Sequence, residues 1–154
     1  MAAYFLDSSA AVKRYIREAG TAWIINLFRP QSFNQIFVAE IILAEVISAL
    51  ARRLRGKSLS VSNYNRSVAR FRRTFDQKFF PVEINLPLIE RASYLAENYG
   101  LRGYDAVQLA AGLTANDARI AIKATALIFV SADNDLNNAA LAEGLSVENP
   151  NNYP

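Results

Sequence analysis

The sequence predicts an α/β fold on a central parallel sheet, and three observations lead there. Helical and strand-like runs alternate along the chain. The clearest strand-like runs, MAAYFL, QIFVA and ALIFV, are short and apolar, as buried strands are. With 154 residues, 52% hydrophobic and 20% charged, the chain has the material for one domain, taken as 1–154, with a sizeable core.

The elements follow in order. MAAYFL reads as a first strand and SSAAVKRYIRE as a short helix closed near Gly20. TAWIINLF is a second helix, stopped by Pro30, and QIFVA a second strand. Residues 40–54, EIILAEVISALARRL, form a strong helix ended by Gly56. Ser58 or Ser60 caps the next helix, which runs to about Lys78. FFPVEI is a third strand whose Pro81 suits an edge or irregular position. Leu88, Ile89, Ala92, Leu95 and Ala96 share one face of a helix over 86–99, closed by Gly100. YDAVQLAAGLTA is another helix and ALIFV a fourth strand, short and β-branched at two positions. DLNNAALAEG is a last helix, LSVE a last short strand, and NPNNYP a loose, turn-like tail.

Composition excludes whole classes of chemistry. The absence of cysteine rules out disulfides and thiolate metal sites. The absence of histidine rules out Ser-His-Asp and Cys-His catalysis and histidine-ligated zinc. Acid–base or metal chemistry therefore runs on carboxylates. No membrane span or signal peptide is legible, which points to the cytoplasm. The net charge of +3 is unevenly spread: nine of the 17 Lys and Arg residues lie between Arg52 and Lys78, against the single acid Asp76. Such a stretch suits phosphates, although solvated helix faces or an acidic partner are equally open readings.

Four acids stand out. Asp7 ends the first strand and Asp133 follows ALIFV; on neighbouring parallel strands they would share a crevice. Each also reads as a helix N-cap, with Asp135 the more natural cap of the last helix. Asp105 lies early in an apolar helix, where the dipole favours an acid; Gly103 before it suggests a close backbone approach. Glu45 shares a helical stripe with Ile41, Ser48, Ala49 and Arg52, away from the apolar stripe, and a solvent-facing glutamate is the plain alternative. Glu40 reads as a cap or first-turn acid. Gathering the four is costly, because each ionised group raises the pKa of the others. A divalent cation removes that cost, and an all-oxygen donor set suits Mg²⁺ or Mn²⁺.

FLDSSA, LAEVISAL, LRGYDAVQLA and FVSADNDL, in this order, resemble the four acidic motifs of PIN-domain nucleases, and within them the VapC-type toxins of toxin–antitoxin modules. The likeness runs from the first strand to the last helix. It implies a three-layer sandwich, a central parallel sheet flanked by helices, and Mg²⁺- or Mn²⁺-dependent endoribonuclease activity. Carried over by motif, Asp7 and Asp105 would be the principal metal ligands, and Glu45 and Asp133 would complete the pocket. Ser8 and Ser131 would orient carboxylates, and Asp135 would add to the negative field. A small antitoxin protein, a homodimer and an RNA substrate are implied as partners, with no membrane.

Two departures stand against the pattern. Gln108 occupies a position where relatives often carry histidine, and ANDARIAIKA before the last motif looks long, as an altered loop or interface would. Two other readings compete with this one. A phosphatase of haloacid-dehalogenase type needs a second Asp two residues after the first, and position 9 is Ser. A non-cutting, receiver-like or degenerate metal- or RNA-binding domain would lack an acid or carry a late lysine, and the late strand here ends VSAD.

Overall fold

The computed structural model describes residues 1–154. Its strands are β1 (Ala3–Leu6), β2 (Gln35–Ala39), β3 (Phe79–Val82), β4 (Ile128–Val130) and β5 (Ser146–Glu148). They form one parallel sheet in the order β3-β2-β1-β4-β5. The helices are α1 (Ser8–Ala11), α2 (Thr21–Leu27), α3 (Ile42–Arg55), α4 (Val61–Gln77), α5 (Leu86–Tyr99), α6 (Gly103–Ala121) and α7 (Asn134–Ala142).

The pleat sorts side chains into two cores. Ala3 and Phe5 of β1, Phe37 and Ala39 of β2 and Phe129 of β4 face α5, α6 and α7. Leu6, Ile36, Val38 and Val130 face α1 to α4. The result is the expected three-layer α/β sandwich. The chain winds outward from β1 through β2 to β3, then returns past β1 to β4 and on to β5. That reversal opens a crevice at the carboxyl ends of β1 and β4, where such sheets bind ligands.

Several expectations need correction. The helix expected over SSAAVKRYIRE is α-helical only to Ala11, with a 3₁₀ turn over Val12–Arg14. Glu18 explains the early stop. It is paired with Lys13 at 3.1 Å and with Arg53 of α3, while Thr21 Oγ1 accepts from Glu18 N and donates to Ile16 O. These contacts fold the chain back before a second helical turn can form. Gly20 completes the turn at φ +85°, where a Cβ would stand 2.3 Å from the Pro150 carbonyl oxygen.

ANDARIAIKA is not a long loop; most of it extends α6. Arg119 anchors that extension, donating to the Thr125 carbonyl, the Gln35 side chain and the Thr125 hydroxyl at 2.7, 2.6 and 3.0 Å. The tail is not loose either. Pro150 is buried, and Tyr153 stacks on Trp23 with ring centroids 4.8 Å apart. Glu40 caps no helix; its carboxylate accepts from Ile84 N at 3.2 Å.

Helix α6 is buried almost throughout its first half, and small residues let it lie close to the sheet. Phe5 and Phe129 stack 5.4 Å apart beneath it. A Cβ at Gly112 would stand 2.8 and 2.9 Å from Phe129 ring carbons. On an exposed helix Gly→Ala stabilises by up to about 1 kcal/mol. Here overpacking dominates, and Gly112→Ala is expected to destabilise by roughly 1–3 kcal/mol in urea unfolding.

Candidate active site

Asp7 ends β1 with 3% of its surface exposed and also caps α1. Oδ1 accepts from Ala10 N at 2.9 Å and from Ser9 Oγ at 2.7 Å; Oδ2 accepts from Ser9 Oγ at 2.9 Å and Ser131 Oγ at 2.7 Å. The cap and the buried carboxylate are thus one residue. Burial pushes its pKa up to about 6; the bonds from Ser131, Ser9 and Ala10 pull against that rise, and Glu45 adds to it.

Ser131 is fully buried just beyond β4, and its hydroxyl also accepts from Asp133 N at 3.0 Å. Asp133, not Asp135, is the N-cap of α7: its Oδ1 accepts from Asp135 N and Leu136 N. Asn137 donates to the Ser131 carbonyl at 2.8 Å and fixes the turn that makes this choice. Asp135 is exposed and its side chain enters none of these contacts.

Glu45 projects from the first turn of α3 and is half-buried rather than free in solvent. Ser8 Oγ donates to its Oε2 at 2.8 Å and Gln108 Nε2 to its Oε1 at 2.7 Å. Ser8 therefore orients Glu45, not Asp7. Asp105 stands in the first turn of α6, half-buried. Burial raises its pKa, Asp133 and Glu45 raise it further, and Arg102 opposes them. Gly103 makes no close approach, for a Cβ there would meet nothing within 4 Å.

The four acids thus border one end of the sheet and act on one another electrostatically. No three of them are drawn together closely enough to hold an ion as they stand. Their chemistry suits a hard cation, being oxygen only and short of positive partners.

Ser9 and Tyr104 carried no site role in the sequence reading, and Gln108 stood there only as a departure from the family pattern. Ser9 bridges Asp7 and the Ala132 N–H. Gln108, 1% exposed, holds Glu45 and keeps its own Oε1 without a partner. Tyr104, 65% exposed, lines a cleft of about 500 Å³ together with Ser8, Ser9, Glu45, Ser48 and Arg52. The helical stripe read around Glu45 is one wall of that cleft, so Arg52 carried a signal; Tyr104 stood inside the LRGYDAVQLA motif with no role of its own read there.

The Asp7 shift has a consequence for stability. Folding raises this pKa, so the folded chain binds the proton more tightly than the unfolded one. Stability therefore declines as pH rises from about 4 to about 6 and stays lower above that. Asp7→Asn removes the buried charge. It is expected to melt above the unsubstituted protein at pH 7.5 and to match it near pH 4; equal melting at both pH values contradicts the assignment.

A protein-family model described as PIN domain matches residues 4–141. A search of curated protein sequences finds no match. Solved structures are similar over nearly the whole chain. The crystal structure of VapBC2 from Rickettsia felis bound to a promoter DNA fragment matches at TM-score 0.58 and 16% identity, covering 96% of this chain and 98% of that one. A toxin–antitoxin complex from Klebsiella pneumoniae matches at TM-score 0.59 and 19% identity, covering 96% and 97%. VapC20 from Mycobacterium tuberculosis, described as a toxin that cleaves the sarcin–ricin loop, matches at TM-score 0.59 and 16% identity, covering 92% and 95%. At these identities the likeness is one of fold.

Proposed function

From the premise that the chain belongs to the PIN-domain family, we propose that it is a Mg²⁺- or Mn²⁺-dependent endoribonuclease and the toxin of a toxin–antitoxin pair. The observation that carries this reading is the placement of Asp7, Glu45, Asp105 and Asp133 around one end of the sheet, with Asp7 and Asp105 both raised by burial and by neighbouring acids. Asp105 is the natural anchor for a cation, because no hydrogen bond occupies it and two acids face it. Asp7, Glu45 and Asp133 complete the donor set, and Asp135 adds charge from outside.

A bound divalent cation supplies charge neutralisation and Lewis acidity at the scissile phosphate. The chain's own groups do the rest. Ser9 and Ser131 hold Asp7, and Ser8 and Gln108 hold Glu45, so neither carboxylate rotates away. Arg52 receives a substrate phosphate at the far end of the cleft, and Tyr104 offers its ring to a base. Water displaces the 3′ oxygen in line, and the 2′-hydroxyl takes no part. Arg70, Arg72 and Arg73, all exposed on α4, add longer-range attraction for RNA.

The similar toxin–antitoxin complexes support an antitoxin as partner, and Leu86, Ile89 and Tyr94, exposed on α5, offer apolar surface to a second copy. No helix is long and apolar enough to cross a membrane; we place the protein in the cytoplasm. Ser9 donates to Asp7 where a haloacid-dehalogenase phosphatase carries its second Asp, which disfavours that alternative.

Incubation with total RNA tests the proposal. Cleavage should need Mn²⁺ or Mg²⁺, stop with a chelator, and be abolished in Asp105→Asn and Asp7→Asn with circular dichroism unchanged. Full cleavage by either variant, or by the chelated protein, refutes it. Gln108→Ala should keep the fold and lower metal affinity by about 10–100-fold, since it releases one of the two groups that fix Glu45; an unchanged metal titration removes Gln108 from the site.

A further inference from the structure

A second pocket, of about 490 Å³, lies among the turn after α1, helix α2 and helix α4, and shares no lining residue with the cleft beside Glu45. Arg14, Arg17 and Arg70 line it. Hydrogen bonds and ion pairs from cationic side chains are made by Lys13, Arg53, Arg91 and Arg119. Arg17 and Arg70 make none, and Arg14 faces only the Tyr15 hydroxyl. Glu18, the one carboxylate side chain on the wall, is already engaged by Lys13 and Arg53.

A buried donor points the same way. Arg14 Nε is buried without a hydrogen-bond partner. Such a group is costly when left unsatisfied. Burial raises the pKa of the Tyr15 hydroxyl, on a residue 7% exposed, and Thr74 and Arg14 lie close enough to pull it down against that rise. Aromatic faces hold two guanidinium groups in place: Arg14 lies 4.0 Å from the Phe28 ring centroid and Arg70 5.9 Å from that of Tyr15. Burial depresses the Arg14 pKa, Tyr15 opposes that fall, and Arg70 adds to it.

We propose that Arg14, Arg17 and Arg70 form a binding site for a phosphate group, separate from the carboxylate centre. Guanidinium forks match phosphate oxygens in pairs, and the cavity leaves room for a sugar beyond the phosphate. The phosphate comes either from an RNA backbone, in which case the site is an anchor remote from cleavage and rests on the ribonuclease reading, or from a free phosphate ester.

Inorganic phosphate is the first probe, titrated against the full chain in chelator and followed by thermal shift and ³¹P NMR. Arg17 and Arg70 are exposed, so Arg17→Ala/Arg70→Ala leaves the core intact. The double variant should weaken phosphate binding about tenfold or more, while Arg72→Ala, on the same helix outside the pocket, should not. The second arm measures a labelled RNA oligonucleotide on Asp105→Asn with and without the double substitution. A parallel fall in RNA affinity, with competition by phosphate, supports the site and assigns it to RNA. Lost phosphate binding with unchanged RNA affinity supports it as a free phosphate-ester site. No phosphate binding, or equal binding by the double variant, overturns it. Failure of the ribonuclease reading is distinguishable, because it leaves the phosphate arm intact.

Discussion

The structure turns on a carboxylate buried where the strand order reverses. Asp7 ends β1, caps α1 and accepts a hydroxyl from Ser131 beyond β4. One side chain therefore joins the central strand, its neighbour across the crevice and the helix that follows. Burying it raises its pKa to about 6, so near neutral pH the fold carries a charge it would be more stable without. A neutral isostere would serve the caps as well. A structural role alone does not account for a charge held at this cost, and perturbed carboxylates in a crevice are what a reactive site requires.

Sequence pattern carried furthest where the physics is local. QIFVA coincides with β2 and residues 86–99 with α5, because strand length, the helical stripe and the Gly100 stop are short-range signals. The four acids were legible in order, and their placement at strand ends and helix starts followed from the alternation of elements. Their hydrogen-bond partners were not. Asp133 rather than Asp135 caps α7 because Asn137 and Ser131 shape the turn before it. Ser8 reaches Glu45 across 37 residues, and Gln108 across 63. Such pairings depend on how layers stack, which no window of sequence contains. The same holds for the stack of Tyr153 on Trp23 that orders the tail.

Charge is segregated rather than balanced. The chain makes only three ion pairs, and none involves Asp7, Glu45, Asp105 or Asp133. Arg102 is the one cation that lowers the Asp105 pKa, and no cation enters the balance at Asp7. Meanwhile Arg52 lines the cleft beside Glu45, and the bulk of the arginines lie on α3 and α4. A polyanion drawn to those helices still meets a repulsive centre where the acids lie, unless something positive stands between. Acids on both layers with the bulk of the arginines on one therefore suit, under the proposed reading, a ternary arrangement of protein, cation and phosphate better than a direct contact.

Gln108 sharpens that point. Its amide donates to Glu45 without adding charge, and the chain has no histidine to titrate in its place. A protonated imidazole at this position would partly neutralise Glu45 at mildly acid pH. The amide orients the carboxylate and places no titrating group beside it. The field of the site is thus set by carboxylates and hydroxyls, with Asp7 the group whose protonation changes near pH 6. Ser9 and Ser131 donate to Asp7 only while it accepts, so its deprotonated form is the one these hydroxyls hold in register. The hydrogen-bond geometry therefore favours ionised Asp7, while burial and Glu45 oppose that charge.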